Sequence, residues 1–133
     1  MAMNVTELAR AAGVPPHVVR YYARIGLLHP ARNPVNGYRL FGAADLERLR
    51  LARGLRALGC GLDEVRRAIE AMERGEEAGE RTLYEILERQ LERTRQEMAV
   101  LRMREHVLAR LVGRRPRRSP RRVVRRRVSE LGA

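Results

Sequence analysis

Residues 4–41, NVTELARAAGVPPHVVRYYARIGLLHPARNPVNGYRLF, decide the fold. Asn4 followed three positions later by Glu7 has the form of a capping box, and Val5, Leu8 and Ala9 give the next turns one apolar stripe. A first helix is expected from about Val5. Gly13 can supply the positive φ that swings the chain through a three- to four-residue turn. Pro16 suits the first position of a second helix, where no amide donor is missed. That helix, about Pro16 to Arg24, turns Val19 and Tyr22 toward the first and leaves His17, Arg20 and Tyr21 on another face. Two short helices joined this way form a helix-turn-helix, whose outward face suits the major groove of DNA.

Ile25-Gly26-Leu27-Leu28 closes the second helix at Gly26 and anchors the exit with two leucines. Pro30, Pro34, Asn36 and Gly37 then punctuate an extended excursion, and Asn36-Gly37 predicts a tight hairpin turn. Arg32, Tyr38 and Arg39 crowd it. Guanidinium forks and a phenol at a loop tip suit phosphate contacts, so a two-stranded wing lying along a DNA backbone is expected.

The order Arg20-Tyr21-Tyr22, Ile25-Gly26-Leu27-Leu28, Pro30, Arg32, Gly37-Tyr38-Arg39 and Asp45-Leu46 closely resembles the MerR family of bacterial transcription regulators. Leu58-Gly59-Cys60-Gly61-Leu62-Asp63-Glu64-Val65 resembles that family's joint between its third and fourth helices, and a pattern-level likeness runs to about Val112. The chain departs at Ala23, where an acidic residue is usual, at Cys60, where an aromatic is common, and at Gly61, where a capping hydroxyl is usual.

Beyond the wing, Leu46, Leu49, Ala52 and Leu55 follow helical spacing from Ala43 to Leu58, with Arg48, Arg50, Arg53 and Arg56 on the remaining surface. A fourth helix, about Leu62 to Glu73, is expected to turn Leu62, Val65, Ile69 and Met72 inward; Asp63 and Glu64 suit the dipole of its first turn, which explains them without acid–base chemistry. The glycine-bounded residues 74–79 read as a polar joint. A long helix follows over 80–112, with Tyr84, Leu87, Leu91, Thr94, Met98, Leu101, Leu108 and Val112 at alternating three- and four-residue steps, interrupted at Glu105. So narrow a seam on so long a helix calls for a partner helix, and the MerR resemblance implies a two-fold antiparallel pair. The expected organisation is mainly α: a winged helix-turn-helix domain over 1–73, a linker over 74–79, an antiparallel coiled-coil dimerisation helix over 80–112 and an arginine-rich tail over 113–133, disordered or in contact with DNA.

The 133 residues suffice for one small domain with an extension. The net charge is +12, all 28 basic residues are arginine, and the tail contributes +8. A basic block of this kind adds salt-dependent, sequence-blind affinity for polyanions. The absence of lysine fits a genomic base bias better than a demand for arginine contacts. A single cysteine excludes an intrachain disulfide, no apolar run reaches membrane length, and Met-Ala-Met-Asn-Val-Thr-Glu is no signal peptide. A cytoplasmic, nucleoid-associated bacterial protein is expected.

Candidate DNA contacts are His17, Arg20, Tyr21, Tyr22, Arg32, Tyr38, Arg39 and Arg53; candidate dimer contacts are Leu87, Leu91, Thr94, Met98, Leu101 and Leu108. Metal-sensing members of the family carry cysteines at the start of the dimer helix and in a loop after its end. Here residues 75–81 and 113–116 hold none, His17, His29 and His106 are scattered, and Cys60 reads as a small buried hydrophobe, so no metal and no cofactor are expected. The chain ends at Ala133, so a large drug-binding domain is not expected either. No catalytic residue is expected, because Cys60 has no readable base or oxyanion loop. The resemblance implies a homodimeric regulator that binds palindromic promoter DNA with an over-long spacer, bends and untwists it, and lets RNA polymerase engage. The alternative is an effector-independent architectural, nucleoid-type DNA-binding protein, suggested by the basic tail and the missing sensor.

Overall fold

The computed structural model describes residues 2–116, so the expected tail from residue 117 onward lies outside the described residues. The capping box is formed: Asn4 Oδ1 accepts from the Glu7 amide at 2.8 Å and Glu7 Oε1 accepts from the Asn4 amide at 3.2 Å, starting α1 (Val5–Ala12). Gly13 ends α1 at φ +69°, its N–H donating to the carbonyls of Ala9 and Arg10. Pro16 opens α2 (Pro16–Arg24), and Gly26, at φ +81°, reverses the chain so that Leu27 and Leu28 are buried. Leu8, Ala9 and Ala12 of α1 share one core with Val19 and Tyr22 of α2. Thus the two helices are fixed by apolar burial, and the turn between them by a left-handed residue that only glycine adopts without strain.

The wing is an antiparallel pair, β1 (Ala31–Arg32) and β2 (Arg39–Leu40), with Ala31 opposite Leu40 and Arg32 opposite Arg39. Its turn differs from the expected tight one. The Asn33 amide donates to the Tyr38 carbonyl at 2.8 Å and the Gly37 amide to the Asn33 carbonyl at 2.8 Å, so four residues, 34–37, make the loop. A two-residue type I′ turn needs positive φ at both central positions, and here Gly37 alone takes it (φ +73°). Asn33 and Asn36 instead accept from the amides of Val35 and Tyr38 and hold the wider loop. One contact had no sequence signal: Met3 and Phe41 exchange backbone hydrogen bonds of 2.8 and 2.7 Å, tying the chain start to the base of the wing.

Three helices complete the order: α3 (Ala43–Ala57), α4 (Leu62–Glu73) and α5 (Glu76–Gly113). Leu49, Ala52 and Leu55 of α3, Val65, Ala68 and Ile69 of α4, and Ile86 of α5 extend the core. Met72, expected inward, is 51% exposed. On its side the neighbour is the bare backbone of Gly79, which it lies across. The expected linker at 74–79 shrinks to Arg74 and Gly75, because α5 already begins at Glu76. Gly79 is a packing residue within a helix: a Cβ there would meet Met72 Cα at 2.9 Å.

Two compact units meet at Gln90 and Leu91. In the first, Leu83, Ile86 and Leu87 of α5 pack against the core, so Leu87, read as a dimer contact, spends part of its surface there. In the second, α5 runs on to Gly113 with Leu91, Met98, Leu101, Leu108 and Val112 exposed, and Val100, Met103 and Val107 exposed beside them. No helix of the described residues is long and apolar enough to cross a membrane.

Candidate nucleic-acid interface

The outward face of α2 carries His17, Arg20, Tyr21 and Arg24, spaced i, i+3, i+4 and i+7 and all exposed. The Arg24 guanidinium lies 5.5 Å from the centre of the Tyr21 ring, and the Tyr21 and Tyr22 rings are 5.6 Å apart. Arg24 is absent from the residues picked out by sequence, although its position one heptad after His17 was the available signal. Tyr21 is therefore a held platform with one cation on it.

Arg20 of α2 meets the wing across an open groove lined by Asn4, Val5, Thr6, Arg20, Arg32, Gly37, Tyr38 and Arg39. Three guanidinium groups and one phenol line it, and no carboxylate does. The Tyr38 side chain stands well out in solvent, while Arg32 Nη1 donates to the Gly37 carbonyl at 3.4 Å and braces the loop. A cleft lined by one sign of charge focuses the field toward an anion, and planar guanidinium forks fit phosphate oxygens in pairs. Four of the sequence-read residues thus come together at one place: Arg20, Arg32, Tyr38 and Arg39.

Two others do not belong there. Tyr22 is 8% exposed and sits in the core; burial raises its phenol above the ordinary range, partly offset by the nearby charge of Arg56. Its side of α2 faces α1, so it supports α2 from behind. Arg53 donates from Nη1 to the Ala12 carbonyl at 2.9 Å and lies against Gly13, closing the carboxyl end of α1. Arg66 does the same at the end of α2, reaching the Ile25 carbonyl at 3.1 Å, and Arg56 reaches the Cys60 carbonyl at 3.1 Å. Helix ends leave carbonyls without partners, and cations are favoured at that pole of the dipole.

Asp45, quoted in the sequence only as part of the family likeness, is a structural support whose contacts were not read there. It is buried, and its carboxylate accepts from the His29 amide at 2.8 Å, the Gly42 amide at 3.2 Å and Arg48 Nη1 at 3.1 Å. Arg48 also reaches Glu73 at 3.2 Å, and His29 Nε2 lies 3.5 Å from the same Glu73 oxygen. One carboxylate therefore binds both ends of the wing segment, residues 29 and 42, to the start of α3. Cys60 is fully buried, and among the described residues no group of three or more histidine, cysteine or acidic side chains could hold a metal ion.

The profile of the MerR HTH family regulatory proteins matches residues 3–72. The chain is 37% identical over 102 residues to the HTH-type transcriptional regulator MerD of Acinetobacter calcoaceticus, covering 77% of this chain and 84% of that protein. Matches to five further regulators span only 44% to 51% of those proteins. Among solved structures, the lead(II) complex of the transcription regulator PbrR691 from Ralstonia metallidurans CH34 superposes with a TM-score of 0.73 at 28% identity, covering 90% of this chain and 92% of that one. HiNmlR, a MerR family regulator lacking the sensor domain and bound to promoter DNA, superposes with a TM-score of 0.59 at 25% identity, covering 85% of each chain.

Proposed function

The chain belongs to the MerR family of helix-turn-helix regulatory proteins, and from that premise we propose that it is a homodimeric, sequence-specific regulator of transcription acting on promoter DNA. The observation that carries this reading is the carboxylate-free groove that joins Arg20 of the recognition helix to Arg32, Tyr38 and Arg39 of the wing. A helix face reads base edges, whereas a wing grips phosphates, and a groove that holds both sets of groups can follow one stretch of duplex. His17, Tyr21 and Arg24 extend the reading face along α2. Two heads on a two-fold axis would meet two half-sites of a palindrome, and distortion of the DNA between them is the step that would give RNA polymerase access.

Leu91, Thr94, Met98, Leu101 and Leu108 form the proposed seam between two antiparallel copies of α5, with Leu87 contributing the surface that the head leaves uncovered. The signal is not a soft metal in this reading, although relatives include regulators named for heavy metals. Tight soft-metal sites need two or more thiolate or imidazole ligands in fixed geometry, and this chain has one cysteine, buried in the core. The protein acts in the cytoplasm and has no catalytic role.

Selection of bound fragments from random duplexes, followed by footprinting, tests the proposal. One short palindrome protected on a single face is the expected outcome. Broad coverage without a consensus would make the protein an architectural binder and overturn the regulator reading.

A further inference from the structure

Three helices of the head close their first turn with the same device. The carboxylate at the third helical position accepts from the amide of the residue before the helix: Glu7 from Asn4 at 3.2 Å in α1, Asp45 from Gly42 at 3.2 Å in α3, and Glu64 from Gly61 at 3.3 Å in α4. Glutamate meets the demands of the cap in α1 and α4, whereas α3 carries the shorter aspartate. Its Oδ2 makes the cap, and its Oδ1 accepts from the His29 amide at 2.8 Å and from Arg48 Nη1 at 3.1 Å. His29 lies two residues before β1, so this carboxylate reaches beyond its own helix to the base of the wing.

The wing has little rigidity of its own. Its ladder is two residue pairs, and so short a hairpin is marginal by itself in water. Its direction is therefore set at its base. On the β2 side the buried Phe41 and its paired hydrogen bonds with Met3 fix the chain. On the β1 side the chain leaves the core at Leu28, and the next fixed point is the His29 amide on Asp45. The exposed contact of the His29 ring with Glu73, at 3.5 Å, adds little. We propose that Asp45 is a positioning residue for DNA contacts: its bond to the His29 amide holds the wing where Arg32, Tyr38 and Arg39 face Arg20 across the groove. This rests on the DNA-binding reading above and names the residue that sets the groove. A wing released on its β1 side samples further directions, and affinity falls with the fraction of time spent in the competent one. The helix that carries Arg20 does not share the anchor: Val19 and Tyr22 in the core and Arg66 on the Ile25 carbonyl hold α2.

The test is a double-mutant cycle on the full chain and its selected DNA site, at a temperature where circular dichroism shows every variant folded. Asp45→Glu keeps a capping carboxylate of the kind that α1 and α4 use, but carries it one methylene further, off the His29 amide. Asp45→Asn is the conservative variant: its oxygen should stay with the two donors at Oδ1, and the cap to Gly42 is the bond it loses. Asp45→Glu should weaken binding about three- to tenfold, the share of one hydrogen bond. In that background Arg39→Ala should cost about two- to fivefold less than in the wild-type chain, while Arg20→Ala costs the same in both. Asp45→Asn should lower stability and leave the cost of Arg39→Ala as in the wild type. Asp45→Ala, which loses both bonds, takes the place of Asp45→Glu if that variant does not fold, and its difference from Asp45→Asn isolates the His29 bond. An Arg39→Ala cost that stays at the wild-type value in Asp45→Glu, or falls equally in Asp45→Asn, makes Asp45 a support of the fold alone and overturns the proposal. An Arg39→Ala change that costs nothing in the wild-type chain removes the groove reading itself, and this proposal with it.

Discussion

Arginine does two different jobs in this head, and the partner of each guanidinium tells them apart. Arg20 stands on the open face of α2, whereas Arg53 is spent on the Ala12 carbonyl. Arg20→Ala should therefore leave the melting curve unchanged and weaken binding to the selected site by about 1–3 kcal/mol, with little loss on random duplex. Arg39→Ala should weaken both and lower the salt slope by about one. Arg53→Ala should act in the reverse order, costing about 1–2 kcal/mol of fold stability in urea titrations and affecting DNA only through it. Equal losses on both duplexes for Arg20→Ala would assign Arg20 to phosphate. Asp45 is a sharper case. Removing a buried carboxylate with three donors leaves those donors unpaired, so Asp45→Ala should cost about 3 kcal/mol, while Glu73→Gln, at an exposed pair, should cost under about 1 kcal/mol. The 3.6-residue period made Arg20 and Tyr21 legible in the sequence. The roles of Arg53 and Arg66 were not, because their partners each lie 41 residues away and only the closed fold brings them together; for Asp45 the Gly42 and Arg48 partners are local, and the unread contact is the one to His29, 16 residues away.

At the scale of elements, the helix-turn-helix and α4 could be read almost to the residue, since caps, a turn glycine and an amino-terminal proline are local signals. The start of α5 could not. Gly75 and Gly79 look alike in sequence as breakers, yet Gly75 turns the chain at φ +134° while Gly79 lies inside the helix beneath Met72. Two glycine substitutions separate these roles. In an open helix interior, glycine to alanine gains up to about 1 kcal/mol from reduced backbone freedom. Gly54, in α3, has nothing within 4 Å of a built Cβ, so Gly54→Ala should raise stability by about that amount. At Gly79 the same gain competes with a contact of 2.9 Å to a backbone carbon, and overpacking of this kind costs about 1–3 kcal/mol, so the clash wins and Gly79→Ala should destabilise. Denaturant midpoints moving in opposite directions for the two variants is the expected result. A stabilised Gly79→Ala would mean that α5 can slide off Met72 at no cost, and that its first turn is not fixed by packing.

For the whole molecule, charge and apolar surface divide the work between attraction and assembly. The basic groove would attract any duplex, but two grooves would find a palindrome only when held at one separation, and the exposed apolar side chains of residues 91–113 are the proposed surface for holding them. Among the described residues no cluster could hold a metal ion, and the sequence has a single cysteine: mercury(II), copper(I) or zinc should leave operator occupancy of a Cys60→Ser protein unaltered in gel-shift titrations, because no pair of thiolates is available to any of them. Release of the operator by one of these ions would overturn the metal-independent reading. The seam itself is open to a direct test. Leu91→Glu or Leu101→Glu would place a carboxylate against the apolar partner helix, where burying it unpaired costs more than the seam gains at that position, and each should sediment as a monomer. Arg20, Arg39 and the fold of the head are untouched by either change, so affinity for an isolated half-site should stay the same. Affinity for the full palindrome should fall by about 10²–10⁴, the factor by which linking two binding modules raises the second one's effective concentration. Variants that remain dimeric would move the interface off α5. Monomers that bind the full palindrome as tightly as the wild type would show that a single head accounts for recognition.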